Sequence, residues 1–301
     1  MTATFSARST ADDVLAGRDL SARNILVTGC NAGIGFETAR ALAAGGAHVV
    51  VACRDQPKAD ATAARIRERH PQARLTALAL DLASFQSIRA AAASLAVDQL
   101  HALVCNAGLY ANSYAETEDR IERTVGVCHF GHFLLTSLLM DKLRAAAPGR
   151  VVMVSSESHR TPAQLRFEHF PLSASRYKPL LAYGQAKLCN VLFANELTRR
   201  HQHEGVYANS LHPGTMVATS IQRDSVGAKL LTLAMWPFSK TIAQAAATSV
   251  YCATAPELER RGGSYFVDCQ ERRMSREAED AQVATRLWAL SEERVAGIRA
   301  A

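Results

Sequence analysis

Tyr183 and Lys187 stand four positions apart in LAYGQAKLCN (181–190), a stretch of good helix formers without proline. Residues four apart share a face of an α-helix, so this spacing stacks a phenol and an ammonium one above the other. A neighbouring positive charge favours phenolate. A free phenol ionises about 3 units above neutrality, so roughly 4 kcal/mol of differential stabilisation turns such a pair into a working proton donor. The same spacing also suits a half-buried tyrosine beside a solvated lysine, so the pair gains meaning only from its surroundings. Upstream, the apolar run VVMVSSESH ends in Ser155 and Ser156. A hydroxyl at the carboxyl end of a strand is well placed to hydrogen-bond a substrate oxygen. With Tyr183 and Lys187 on the next helix, these serines set a donor, an acid and a cation around one point.

The second constellation is TGCNAGIG (28–35), in which Gly29, Gly33 and Gly35 are spaced by Asn31 and Ile34. It departs from a strict G-x-G-x-x-G, but the physics is shared. Glycines permit a tight turn, let the backbone approach a pyrophosphate, and leave its charge at a helix N-terminus. A glycine-rich turn alone is weak evidence; its place at the first strand-to-helix crossover strengthens it. The second strand ends in ACR, where an NAD enzyme is expected to carry an acid for the ribose 2′-hydroxyl. Arg54 stands there instead. A guanidinium favours a 2′-phosphate by charge and by bidentate geometry, so the reading is NADP(H) over NAD(H), with Asp55 as the counter-signal. LDL (80–82) supplies Asp81 and Leu82 for the adenine, and Asn106 with the small Ala107-Gly108 pair lets the chain lie against a cofactor.

These residues need a frame that brings strand ends together. Apolar runs at 24–29, 48–54, 75–82, 100–108, 149–156, 207–214 and 263–268 read as strands. Between them 36–46, 58–70, 84–96, 118–145, 183–203 and 241–254 read as helices. Strands that are hydrophobic throughout imply burial on both faces. The fold class is therefore α/β: one doubly wound, Rossmann-type domain over 23–301 with a mainly parallel seven-stranded sheet, preceded by an extension over 1–22. Loops at 157–182 and 215–240 are long enough to suggest functional work, and both follow strand ends where open α/β sheets bind ligands. In the second, Ile221, Val226, Leu230, Leu231, Leu233, Met235, Trp236 and Phe238 suit either an apolar lid or packing on the core or a partner. Residues 275–299 read as a final amphipathic helix with Ser275 as N-cap and Val283, Leu287, Leu290 and Ile298 near one face.

Composition narrows the function. At 301 residues and 48% hydrophobic content the chain has ample material for a core. No apolar run approaches the roughly 20 residues of a membrane span, and the first 22 residues lack the apolar centre of a secretory signal, so a cytoplasmic protein is expected. The seven cysteines are scattered without a C-x-x-C pair and read as reduced thiols. A net charge of +6 admits an anionic partner, but the basic residues come only in doublets such as Arg199-Arg200, so no nucleic-acid partner is expected. His129 and His132 sit three apart without further ligands, and no metal is expected.

Taken together, Thr28-Gly29-x-x-x-Gly33-x-Gly35, Asn106-Ala107-Gly108, Ser155-Ser156 and Tyr183-x-x-x-Lys187 resemble the short-chain dehydrogenase/reductase family over essentially the whole chain. Within it, stretches such as GFETARALAAGGAHVVVACR and KLCNVLFANEL resemble the group of retinol dehydrogenases and the oxidoreductase domain of WW-domain-containing oxidoreductase. The resemblance implies that Tyr183 is the acid in reduction and the base in oxidation. It implies that Lys187 favours the phenolate and holds the nicotinamide ribose, and that Ser156, rather than Ser155, orients the carbonyl. Pro213, Gly214 and Thr215 would neighbour the nicotinamide. The family usually forms homo-oligomers, dimers or tetramers. One departure stands out: relatives carry asparagine in NHxGHF, where this chain reads VCHFGHF with Cys128. That asparagine is thought to hold a water for proton relay, and a thiol is a weaker donor and acceptor than an amide.

The leading expectation is an NADP(H)-dependent oxidoreductase (EC 1.1.1.-) interconverting an alcohol and a ketone or aldehyde on a fairly apolar small molecule: steroid, retinoid, polyketide or aromatic carbonyl. The alternative, resting on Cys128, is an NADP-binding redox sensor or interaction protein with weak turnover. A basic protein binding nucleic acid or membrane surfaces is a third and weaker reading.

Overall fold

The computed structural model describes residues 5–160, 164–214 and 240–296. Among these residues eight strands form one sheet in the order β3-β2-β1-β4-β5-β6-β7-β8. They are β1 (Asn24–Thr28), β2 (His48–Cys53), β3 (Leu75–Ala79), β4 (Ala102–Cys105), β5 (Gly149–Val154), β6 (Val206–His212), β7 (Tyr265–Val267) and β8 (Gln270–Arg272). All pairings are parallel except β7–β8. The chain order reverses between β1 and β4, which opens a crevice at their carboxyl ends.

Burial explains why the apolar runs become strands. β4 and β5 are buried along their whole length, and β1, β2 and β6 nearly so. Two apolar layers cover the sheet. One face packs the Pro179–His201 and Ala281–Ala296 helices around Phe133, Phe193 and Trp288; the other packs Gly33–Ala44 and Ile242–Thr254 around Leu42 and Val250. Side chains start several helices by accepting the N-terminal amides. Asp55 caps Gln56–Arg69, Ser84 caps Phe85–Ser94, and Thr241 forms a capping box with Gln244. Residues 5–22 lie against this second layer: the short Ala11–Leu15 helix buries Val14, and Phe5 meets Tyr251 edge-on at 5.7 Å.

Three expectations are corrected. The sheet has eight strands rather than seven, because β7 turns back through Asp268 and Cys269, both at positive φ, into an antiparallel edge strand. The 118–145 segment is not one helix but Arg123–Val125, a π-helical turn Gly126–Phe130, Gly131–Leu138 and Met140–Ala145. The last helix starts at Ala281, with Asp280 accepting the amides of Gln282 and Val283, while Ser275 only closes a turn with Ala278. Leu287 is buried there and Val283 and Leu290 pack against the core; Ile298 lies outside the described residues.

Candidate active site

The glycine turn leaves β1 with Gly29 at φ +71° and Gly33 at φ +59°, values that favour glycine. A Cβ on Gly35 would sit 2.3 Å from both Asn106 Nδ2 and the Gly29 carbonyl oxygen, so only glycine fits that contact. Asn106 Nδ2 donates to the Thr28 carbonyl at 2.8 Å, which fixes the end of β4 to the turn. Asn31 is exposed and its carbonyl accepts from Arg65; Ile34 is half-buried against the core.

At the end of β2, Arg54 is exposed, and among the described residues it forms no ion pair. Asp55 is occupied, accepting the Lys58 amide at 3.0 Å as a helix cap and pairing with the Lys58 ammonium. Asp81 spends one carboxylate oxygen on the Ala83 amide at 2.9 Å. Leu82 is buried in the core, with its carbonyl packed against Gly131.

Ser155, Ser156, Tyr183 and Lys187 come together where β5 meets the Pro179–His201 helix. The two serines separate clearly: Ser155 is buried and donates to the Lys187 carbonyl at 2.7 Å, whereas Ser156 is half-buried and, among the described residues, hydrogen-bonds only the neighbouring Ser158 through its hydroxyl. Lys187 is 4% exposed, and its ammonium donates to the Val154 carbonyl at 2.9 Å. That leaves two of its N–H donors for other partners. The ammonium lies 5.5 Å from the Tyr183 ring centroid, and Tyr183 is half-buried with Tyr110 edge-on to it at 5.5 Å.

Gly108 separates Lys187 from Cys128: a Cβ there would lie 3.3 Å from the ammonium and 3.4 Å from the thiol. Cys128 is fully buried in the π-helical turn, with a long 3.9 Å contact from its sulfur to the Leu109 carbonyl. Pro213 and Gly214, the latter at φ +119°, follow β6 and lie half-buried near Lys240. Thr215 and the apolar residues of the second long loop fall outside the described residues.

Sequence reasoning missed a chain that joins these parts. His132 Nδ1 donates to the Cys128 carbonyl at 3.0 Å, and its Nε2 lies 2.9 Å from Thr28 Oγ1. Burial pulls the His132 pKa down to about 4, so the ring is neutral and Nε2 accepts the Thr28 proton. Thr28 Oγ1 in turn accepts the amides of Asn106 and Ala107 at 3.0 and 2.9 Å. One histidine therefore ties the π-helical turn to the glycine turn across 104 residues of sequence. Only the recurrence of a histidine inside an apolar run pointed to it. His129 is buried among Phe130, Phe133 and Phe193 and pairs with Ser291 Oγ at 2.8 Å.

Similarity to known proteins agrees with this arrangement. A family model described as short chain dehydrogenase matches residues 23–229. WW domain-containing oxidoreductase from Gallus gallus is 46% identical over 297 residues, covering 96% of this chain and 72% of its own. Human retinol dehydrogenase 12 is 42% identical over 282 residues, covering 93% and 88%. An uncharacterized protein from Mycobacterium paratuberculosis has a similar structure, with a TM-score of 0.76 and 34% identity over 96% of this chain and 97% of that one. A gluconate 5-dehydrogenase from Burkholderia cenocepacia, solved in complex with NADP and tartrate, gives a TM-score of 0.65 over 85% and 96% of the two chains; at 22% identity it speaks for the fold alone. The match runs from the glycine turn through the Tyr183–Lys187 pair, and the chain belongs to the short-chain dehydrogenase family of oxidoreductases, on its retinol-dehydrogenase-like side.

Proposed function

We propose that residues 23–301 form one catalytic domain that interconverts an alcohol and a ketone or aldehyde with NADP(H). The observation that carries this reading is Lys187. It is a buried ammonium held, among the described residues, by a single main-chain carbonyl, one helical turn from Tyr183 and beside the end of β5. Such a cation is poised to take ribose hydroxyls and to favour phenolate, whichever direction the reaction runs.

The glycine turn suits a dinucleotide, because Gly35 is packed so closely against Gly29 and Asn106 that no side chain can fill the cradle. Gly29, Asn31, Gly33, Ile34 and Gly35 would hold the pyrophosphate, and Asp81 and Leu82 the adenine. Asn106, Ala107 and Gly108 would lie along the ribose, and Pro213, Gly214 and Thr215 beside the nicotinamide. Arg54, exposed and without an ion pair among the described residues, favours the 2′-phosphate of NADP(H) over NAD(H). When bound, the cofactor supplies or accepts the hydride. Ser156 hydrogen-bonds the substrate oxygen and fixes its position. Tyr183 donates its phenolic proton to that oxygen in reduction and takes it back in oxidation, with Lys187 offsetting the charge on the phenolate.

A fairly apolar substrate is supported by the relatives named retinol dehydrogenase; steroids, polyketides and aromatic carbonyls share that chemistry. A cytoplasmic homo-oligomer, dimer or tetramer, accompanies the proposal, and no described helix is long and apolar enough to cross a membrane. The full burial of Cys128 weighs against the alternative in which this thiol senses oxidants, since such cysteines are solvent-accessible. The test is NADPH consumption with a panel of apolar carbonyls, alongside NADPH binding measured directly. Turnover on at least one of them supports the proposal; tight NADPH binding with no turnover on any would instead favour a nucleotide-binding protein of weak activity.

A further inference from the structure

A second cleft, with a volume of about 250 Å³, lies at the amino end of the sheet, lined among others by Arg18, Asp19, Arg23, His101, Arg150 and Thr254. It is remote from the candidate active site: Arg150 and Val154 mark opposite ends of β5, separated by four residue steps or about 13 Å. Three arginines and a histidine line it against a single acid, Asp19. Arg150 is 7% exposed, and its Nη1 donates to the Ala255 carbonyl at 2.9 Å, at the end of the Ile242–Thr254 helix. That contact uses one of five guanidinium N–H groups. Among the described residues Arg150 forms no ion pair, and the nearby Glu259 pairs with Arg23 at 3.5 Å. Burial lowers the Arg150 pKa to about 10, which still leaves the group charged at neutral pH.

The neighbours repeat the pattern. Among the described residues the Arg18 side chain reaches only the Thr254 hydroxyl, at 3.3 Å. His101 Nδ1 accepts the Asn24 amide at 3.1 Å, so in the neutral ring the proton sits on Nε2, which has no partner among the described residues. Burial, and then the charge of Arg23, pull the His101 pKa down and keep it in that form. Asp19 is the acid in the lining, and its carboxylate is taken by the amide and hydroxyl of Ser21 at 2.8 and 3.0 Å. Counting Glu259, three guanidiniums face two carboxylates. A buried cation with one neutral acceptor is an expensive arrangement that a counter-charge would relieve.

We propose that this cleft binds a small oxyanion, a phosphate or carboxylate group, between Arg150, Arg18 and the Nε2–H of His101. The forked guanidinium matches both groups in geometry. The volume lies just below the range of sites for drug-sized ligands, so a single small anion fits and a dinucleotide does not. This site is independent of the proposed reaction, and its occupancy would tie the end of the Ile242–Thr254 helix to the start of β5.

The test is a titration of the full chain with inorganic phosphate at constant ionic strength, read by thermal stability and by calorimetry, and repeated with citrate. Wild type is compared with Arg18→Gln, which is partly exposed and expected to fold, with Arg150→Gln, and with Arg54→Gln as control for ion binding at the glycine turn. Saturable binding of either anion, weakened tenfold or more by Arg18→Gln and unchanged by Arg54→Gln, supports the site. Preference for phosphate or citrate then tells which oxyanion it takes. Equal affinity in wild type and Arg18→Gln, loss only in Arg54→Gln, or no saturable binding of either anion overturns it, whether or not Arg150→Gln folds.

Discussion

Lys187, on the helix beside the carboxyl end of β5, and Arg150, near its amino end, are both buried cations, each bonded among the described residues to a single main-chain carbonyl, Val154 for one and Ala255 for the other. Their surroundings differ. Around Lys187 the chain supplies glycines, backbone and neutral hydroxyls: Gly108 against the ammonium, Ser155 on the helix carbonyl, and Tyr183 one turn away. Around Arg150 it supplies further charged side chains, Arg18 and Arg23, with Asp19 and Glu259 already engaged. A cradle of backbone and small residues fixes the position of a large ligand before it arrives. A cluster of long arginine side chains adjusts to a small anion and reads mainly its charge. The same sheet thus offers a shaped site at one end and an electrostatic one at the other.

The sharpest way to break that comparison is Tyr183→Phe. Loss of a general acid costs typically about 10²–10⁴ in rate. Turnover is expected to fall by that factor while phosphate binding at the amino end stays as in wild type; an active Tyr183→Phe protein would remove the tyrosine from the chemistry. Arg54→Gln comes next. Hydrogen bonds to charged groups contribute about 1.5–3 kcal/mol, so NADPH affinity should drop roughly 10- to 100-fold with little change for NADH. An equal loss for both cofactors would mean that Arg54 does not read the 2′-phosphate.

Much of this was legible in the sequence, and the exceptions have physical reasons. β1, β2, β4, β5 and β6 announce themselves because burial on both faces demands uninterrupted apolar runs. The Tyr183–Lys187 pair is legible because the period of a helix converts spacing into contact. β8 is not: its three residues are polar, and its turn places Asp268 and Cys269 at positive φ, where Asn-Gly or Asp-Gly is the recognisable signal. The π-helical turn at Gly126–Phe130 has no proline to mark it, and π-turns favour functional sites through tertiary contacts. Thr28–His132 joins residues that only the folded sheet brings together.

That last contact is acid-sensitive. His129 and His132 are fully buried and His212 nearly so, and burial lowers their pKa values to about 3, about 4 and about 4. In the unfolded chain a histidine titrates near 6.5. The folded pKa is the lower one, so the neutral form is favoured in the fold, its stability is fully present above about pH 6.5 and is lost as pH falls towards 4. Each of the three should cost about 2 kcal/mol between pH 6.5 and pH 5. The melting temperature is expected to drop over that window. Hydrogen exchange at the amides of Asn106 and Ala107 should quicken with it, because protonated His132 can no longer accept from Thr28. Flat stability from pH 7 to pH 5 would show that these histidines ionise freely.

The smallest expected effect tests how finely the shaped end is tuned. Cys128 stands where the family resemblance implies an asparagine, and a side chain on Gly108 would touch both its sulfur and the Lys187 ammonium, at 3.4 and 3.3 Å. The main-chain carbonyl of Cys128 already accepts from His132, which leaves one lone pair for a relay water, and the thiol adds little. Cys128→Asn places an amide donor and acceptor at that point. Turnover should rise a few-fold with NADPH affinity unchanged, because the amide acts on proton exchange with Lys187 and not on the pyrophosphate or 2′-phosphate. A rise in affinity instead would make residue 128 part of the cofactor cradle. No change in either would mean that protons reach Lys187 by another path, and that a thiol at residue 128 leaves the shaped end of the sheet chemically intact.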